Sequence, residues 1–333
     1  MRLLRNRIIV GDAVKQLRQL PSGSVDMALT SPPYFRLREV AGQIGLESEV
    51  EEWVAALRVV ASQVHRVLTP TGSFWLNVAD TYSMHARQGA GRKSLLLGPE
   101  RLALALLEDG WLLRNKIVWQ KANTLPNSVT DRLSCTWEAL YVFVKQPLYF
   151  FNLDAVRVPH TSAPPKRRDR VTRPKGRESW RGPNGLDASG LRAMKAQGRV
   201  GHPLGKNPGD VWRIASTGYK GLHRATFPVA LAERAIRAGC PVARCITCRQ
   251  PWQERIIRRI GNVAMRSPLG PLCDCDAARE PGLVLDPFFG SGTTGVAASQ
   301  LLRDWLGIEL NPVYAALAEE RIRTARAGPS EAT

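Results

Sequence analysis

The feature that most constrains this chain is a strand, a glycine turn and a helix in direct succession near its carboxyl end. Leu283-Val284-Leu285 reads as a short buried strand and runs into Asp286-Pro287-Phe288-Phe289-Gly290-Ser291-Gly292-Thr293-Thr294. A helix over Thr293 to Leu302 and an apolar strand over Trp305 to Leu310 follow. Two glycines one residue apart let the backbone approach a ligand closely, which is how α/β folds seat nucleotide-like cofactors at a strand end. An ordinary tight turn uses the same pair, so the turn alone does not decide. Glu309 stands nineteen positions after Gly290, where a carboxylate can accept from both hydroxyls of a ribose; capping the helix that starts at Pro312 is an equal use for it. No lysine follows the glycines as a triphosphate-binding loop would require, so an adenosyl group without phosphates fits better, and S-adenosylmethionine is the commonest such cofactor.

The rest of the chain carries the same alternation. Strands are expected at Arg7 to Val10, Val25 to Leu29, Ser73 to Val78, Leu112 to Trp119 and Ala139 to Val144. Helices are expected at Asp12 to Leu20, Glu49 to Leu68 with a stop at Thr69-Pro70-Thr71-Gly72, about Pro99 to Asp109, Phe227 to Ala238 with Thr226 as cap, and Pro312 to Ala325. Strands alternating with helices predict an α/β fold, a mainly parallel Rossmann-like sheet covered on both faces. Between about Val156 and Asn207 the pattern dissolves into Pro, Gly, Arg and Lys. The expected organisation is therefore one half-domain over 1–150, a basic insert over 151–215, and a second half of the same domain over 216–330.

With 333 residues the chain can bury a sizeable core, and its longest apolar runs are far too short to span a membrane. Met1 to Val10 alternates Arg with apolar residues, unlike a secretory leader, so a cytoplasmic location is expected. The formal net charge is +18, and the stretch from Arg157 to Lys206 alone holds thirteen Lys or Arg against Asp169, Glu178 and Asp187. Such an excess favours a polyanionic partner, although an isolated basic run is equally a solvated tail.

At the end of the second strand stands Thr30-Ser31-Pro32-Pro33-Tyr34. Two successive prolines fix the backbone and remove two amide donors, which leaves carbonyls free to project into a pocket. Ser31 and the Pro32 carbonyl can accept from an exocyclic amino group while Tyr34 stacks on a base swung out of its duplex. A bare Pro-Pro-Tyr is also a common loop or a linear binding motif.

Thr30 to Tyr34 taken with Asp286 to Thr294 resembles the amino-group-specific DNA methyltransferases, in the β-type order where the catalytic motif precedes the cofactor motif. The likeness extends over Gly11-Asp12, Gly42-Gln43-Ile44-Gly45, Gly110-Trp111 to Lys121, Gly209-Asp210-Val211-Trp212 and His223 to Pro228. It implies a methyltransferase-type sheet that uses S-adenosylmethionine on double-stranded DNA. By that resemblance Ser31, Pro32, Pro33 and Tyr34 are catalytic. Asp12, Phe227, Pro228, Asp286, Pro287, Phe288, Gly290, Gly292, Thr293 and Glu309 hold the cofactor. The family pattern gives Ser-Pro-Pro-Tyr to cytosine N4 enzymes and Asp-Pro-Pro-Tyr to adenine N6 enzymes; Ser31 points to cytosine N4, with adenine N6 as the alternative. More remote are a non-catalytic DNA-binding module and an RNA or protein methyltransferase. The implied chemistry is direct displacement, in which the amino nitrogen attacks the sulfonium methyl and the protein supplies alignment and charge placement. A cytosine carbon-5 enzyme would use a nucleophilic cysteine, usually after proline, and no Pro-Cys pair occurs. A homodimer is compatible with the family; a cognate endonuclease stays open, and no nuclease constellation is evident.

For an enzyme that extrudes a base, Arg167, Arg168, Arg170, Arg173, Lys175 and Arg177 are candidates for phosphate neutralisation, and Trp180 with Arg181 for stacking or wedging. Cys245-x-x-Cys248 and Cys273-x-Cys275 offer four thiolates in two close pairs, which suits tetrahedral zinc in a small excursion over 240–280; surface thiols are the alternative. Cys240 and Cys135 read as packing residues.

Overall fold

A computed structural model describes residues 4–36, 44–124, 128–160, 202, 204–216, 227–254, 256–260 and 263–327. Arg167, Arg168, Arg170, Arg173, Lys175, Arg177, Trp180 and Arg181 lie outside these, as does Thr226. The chain divides into two compact units, one of residues 1–155, 209–253 and 271–333, the other of residues 156–208 and 254–270.

The first unit holds strands β1 (Arg7–Val10), β2 (Val25–Thr30), β3 (Leu68–Val78), β4 (Leu112–Lys121), β5 (Trp137–Val144) and β6 (Val211–Ile214). Shorter strands follow: β7 (Ala243–Cys245), β8 (Trp252–Gln253), β9 (Ile256–Ile260), β10 (Val263–Arg266), β11 (Gly270–Pro271) and β12 (Arg279–Pro281), of which β9 and β10 belong to the second unit as an antiparallel hairpin. The last two are β13 (Leu283–Asp286) and β14 (Asp304–Glu309). Among the described residues six α-helices accompany them: α1 (Ala13–Gln19), α2 (Val50–Val67), α3 (Gly98–Glu108), α4 (Val229–Gly239), α5 (Thr293–Gln300) and α6 (Pro312–Ala327).

One eight-stranded sheet has the order β1-β14-β13-β2-β3-β5-β4-β6. Its neighbours run parallel except where β5 opposes both β3 and β4, which agrees with a mainly parallel sheet. β2 is buried at all six positions, as expected of a central strand with both faces covered. α2 buries Val50, Trp53, Val54, Leu57, Val60, Ala61 and Val64, a spacing of three and four residues that makes one apolar stripe. At its start Glu52 Oε2 accepts from the amides of Ser48 at 3.0 Å and of the cap residue Glu49 at 3.4 Å, the return arm of a capping box.

Several expected boundaries shift. β3 begins at Leu68 and runs through Thr69-Pro70-Thr71-Gly72, where a loop is expected; Val25 pairs with Leu68, and an irregular register lets the strand absorb the proline before Met27 pairs with Ser73. α4 starts at Val229 with Pro228 as its cap, so Phe227 stands outside the helix. Val211–Ile214, placed by the sequence inside the basic insert, is edge strand β6 of the sheet. Cys240 is buried as expected, but Cys135 is exposed, with its sulfur 3.7 Å from the Tyr82 hydroxyl. Among the described residues no helix is long and apolar enough to cross a membrane.

β2 and β13 are tied at both ends by carboxylates. At the amino ends, Asp26 Oδ2 accepts from Leu283 N at 2.8 Å and from Arg244 Nη1 at 2.8 Å, and Arg244 Nε also donates to Glu280 at 2.8 Å. Arg244 and Asp26 are 1% and 4% exposed, so each needs the other: a lone buried charge would cost several kcal/mol, about 3–5 kcal/mol on removal of one partner. The tie at the carboxyl ends belongs to the site.

Candidate active site

Because β2 and β13 are parallel neighbours, with Val284 opposite Met27 and Leu285 opposite Ala28, the loops that leave their carboxyl ends emerge side by side. Thr30 Oγ1 donates to Asp286 Oδ1 at 2.5 Å, and Thr294 Oγ1 donates to Asp286 Oδ2 at 2.6 Å. Phe288 N also donates to Oδ1, at 3.0 Å. Asp286 thus joins the end of β2 to the glycine turn and the start of α5. Its carboxyl group is 2% exposed, and burial pushes its pKa up to about 6 against the opposing pull of Thr294, Thr30 and the Phe288 amide.

The glycine turn is held by its neighbours. Gly290 and Gly292 have φ of 52° and 77°, the left-handed region that favours glycine. Glu309, at the end of β14, accepts from Gly290 N at 2.7 Å through Oε2 and from Asn311 N at 2.8 Å through Oε1. The carboxylate therefore braces the glycine turn and also serves the entry to α6. Burial raises the Glu309 pKa, and the amides of Asn311, Gly290 and Leu310 oppose that rise. Arg321 on α6 reaches back, donating through Nη1 to Ser291 Oγ at 2.9 Å and Thr293 Oγ1 at 2.9 Å. Phe289 is buried and stacks on Trp305 at 5.2 Å, in a slot that exists because position 307 is glycine: a Cβ there would run into the ring.

Asp12 lies along the same edge. Gly11 N donates to Glu309 O at 2.8 Å, and Asp12, exposed, caps α1 by accepting from Lys15 N at 2.9 Å. Pro32, Pro287, Phe288 and Thr30 line one apolar cavity with Leu57 of α2 and Leu106 of α3. Phe227 and Pro228 are both buried at the start of α4, which packs on α5, β2 and β3. The two prolines after Ser31 do not share one environment, because Trp53 Nε1 donates to the Pro33 carbonyl at 2.9 Å and so engages it within the fold.

Tyr34 and Ser31, both half-buried, sit in a polar cluster. Ser31 Oγ donates to the Tyr34 hydroxyl at 3.0 Å, and that hydroxyl donates to Glu138 Oε2 at 2.7 Å, with Asn77 Oδ1 at 3.3 Å. Lys121 Nζ pairs with Glu138 Oε1 at 2.6 Å. Asn77, Lys121 and Glu138 gather here because β3 and β4 end, and antiparallel β5 begins, at the same edge of the sheet. Sequence reading missed Glu138, Asn77, Lys121 and Arg321. The signal for Glu138 was one acidic residue directly before the apolar run Ala139 to Val144.

Away from this edge, the sulfurs of Cys245, Cys248, Cys273 and Cys275 all lie within 4.8 Å of one another. A tetrahedral zinc with Zn–S bonds of about 2.3 Å sets its sulfurs about 3.8 Å apart, so the four residues fit that ion after a small contraction. β7 and β12 bring the pairs together, with Cys245 opposite Arg279, and Arg249 at φ 62° closes the turn between Cys245 and Gln250. Amides of Cys248 and Thr247 lower the pKa of the Cys245 thiol to about 6, while the neighbouring Cys248 and Cys273 thiols push that of Cys275 up to about 12.

Known proteins place this geometry. A family profile described as DNA methylase matches residues 25–320. The Type II methyltransferase M.XycI of Xanthomonas campestris pv. cyanopsidis is 32% identical over 94% of this chain and 86% of its own. M.SmaI of Serratia marcescens, also a Type II methyltransferase, is 30% identical over 95% and 90%. Among solved structures, the PvuII DNA methyltransferase (cytosine-N4-specific) superposes with a TM-score of 0.57 at 18% identity, covering 96% of this chain and 90% of that one. At these similarities, with the loops that follow β2 and β13 side by side, the chain belongs to the β-type family of DNA amino-methyltransferases.

Proposed function

We propose that this chain methylates the exocyclic N4 of cytosine in duplex DNA, with S-adenosylmethionine as donor. The observation that carries this reading is the pairing of two distant loops, Ser31 to Tyr34 and Asp286 to Thr293, across the Thr30–Asp286 hydrogen bond of 2.5 Å. Serine at the head of the Pro-Pro-Tyr motif supports cytosine over adenine. Among proteins of this fold, the PvuII enzyme is named cytosine-N4-specific. Adenine N6 is the second reading, since the pocket recognises an amino group that both bases carry.

S-adenosylmethionine, when bound, supplies an electrophilic methyl group. Gly290 and Gly292 admit its backbone-side approach, Asp12 and Phe227 flank the same edge, and Glu309 retains lone pairs for ribose hydroxyls beyond the amides it accepts. Ser31 and the Pro32 carbonyl accept from the target amino group, aligning it and drawing its lone pair out of conjugation with the ring, and the Tyr34 ring supports the base. The Cys245, Cys248, Cys273 and Cys275 cluster holds structural zinc remote from this chemistry.

Incubating the protein with isotopically labelled S-adenosylmethionine and unmethylated duplex DNA, RNA or protein, followed by nucleoside analysis, tests the whole reading. Labelled N4-methylcytosine in DNA is the expected product. N6-methyladenine would move the assignment to the second reading, and label confined to RNA or protein would defeat both.

A further inference from the structure

The polar cluster behind Ser31 is a hydrogen-bonded chain with a fixed direction. Its far end is Glu138, 8% exposed, which accepts from Lys121 Nζ at 2.6 Å and from the Tyr34 hydroxyl at 2.7 Å. A carboxylate paired with lysine only accepts, so Tyr34 commits its single proton towards it. Asn77 enforces the same direction: its Nδ2 donates to Ala139 O at 3.2 Å, which turns Oδ1, another pure acceptor, to the Tyr34 hydroxyl. The Tyr34 oxygen is thereby an acceptor for Ser31, whose hydroxyl donates to it at 3.0 Å. With that proton committed, Ser31 Oγ meets a further partner with its lone pairs, and donating into a charged chain makes it a stronger acceptor.

We infer that Glu138 is a positioning residue that sets the polarity of the target pocket: through Tyr34 it keeps Ser31 an acceptor, so the pocket takes a base edge bearing an amino group and rejects one bearing a carbonyl. This rests on the reading that the extruded base faces Ser31. Cytosine N4 and adenine N6 are donors, whereas the oxo group of uracil or hypoxanthine is an acceptor and would set two acceptors face to face. Sites built to hydrogen-bond one polar group reject its mismatch strongly because buried partners are left unpaired. The proposal also gives the catalytic tyrosine a second task beside stacking, carried by its hydroxyl.

The test uses Glu138→Gln, which keeps the shape but carries an amide able to donate to Tyr34 and so reverse the chain. Single-turnover methyl transfer to duplex DNA should fall on the order of tenfold to a hundredfold, with S-adenosylmethionine affinity and melting temperature close to wild type. Glu138→Asp should recover part of the rate, and Tyr34→Phe combined with Glu138→Gln should lose little more than either alone, since both cut one chain. The decisive readout is binding to duplexes in which the mapped target base is replaced by its oxo counterpart, uracil for cytosine or hypoxanthine for adenine. Wild type should prefer the amino base, and Glu138→Gln should lose most of that preference. Should Glu138→Gln fail to fold, Tyr34→Phe carries the same comparison. Folded variants that keep the wild-type rate and preference would overturn the inference while leaving the proposed function intact. A wild type that methylates no DNA would sink the proposed function, and this inference with it.

Discussion

Asp286 is a carboxylate held where its charge is costly. Fully buried, it titrates near 6 rather than near 3.8, so between those values the folded protein binds a proton that the unfolded chain has released. Stability therefore declines as pH rises through that window, and the penalty is complete once the folded group has ionised. Asp286→Asn removes the titration while retaining an oxygen for Thr30 and the Phe288 amide. The difference in unfolding free energy, variant minus wild type, should grow between about pH 4 and 6 and level off above 7, as read by urea denaturation across pH. A difference that is flat with pH would show that the group is ionised throughout. At this scale the motif residues were legible because their signal is local: prolines, glycines and a carboxylate in fixed succession. Glu138 was not, because its meaning depends on β5 opposing β3 and delivering its first residues beside Asn77, and no spacing in the sequence records that pairing.

Among the elements, the parallel core strands were readable from their apolar runs, since both faces of β2 and β13 are covered. The short strands from Ala243 to Pro281 were not, because strands of two to five residues carry too little periodicity, and the turns between them follow from cysteine placement instead. β7 and β12 have little apolar surface of their own, but Cys245 adjoins Arg244, the buried arginine that pins the start of β2. A metal bound by the four cysteines would therefore stabilise the base of the central strand as well as the knuckle. The protein purified without chelator should carry one zinc per chain by elemental analysis, and cobalt exchanged into it should show thiolate-to-metal charge-transfer absorption. Removing the metal, or the double substitution Cys273→Ser and Cys275→Ser, should lower the melting temperature by about 4 °C or more. Metal-free protein that melts as the loaded form does would confine the cysteines to surface thiols.

Charge is the property that belongs to the molecule as a whole, and its +18 is concentrated between Arg157 and Lys206 rather than spread over the sheet. Composition marks this segment as a candidate polyanion binder, yet composition carries no contact geometry, which is why no base-reading residue follows from it. What does follow is a salt dependence. Each phosphate neutralised on duplex DNA releases counterions, so the logarithm of the binding constant falls with the logarithm of salt with a slope of about −0.9 per contact. If Arg167, Arg168, Arg170, Arg173, Lys175 and Arg177 each pair with a phosphate, replacing all six with glutamine should flatten that slope by about 5, and replacing two of them by about 2. Affinity should drop for every duplex alike, because backbone contacts carry no sequence information. Thermal stability should be unchanged, since none of the six is among the residues that form the sheet. Titrations at several salt concentrations decide the matter: parallel plots for wild type and the sixfold variant would make this run a solvated surface, and the DNA contacts would then have to come from the site edge itself.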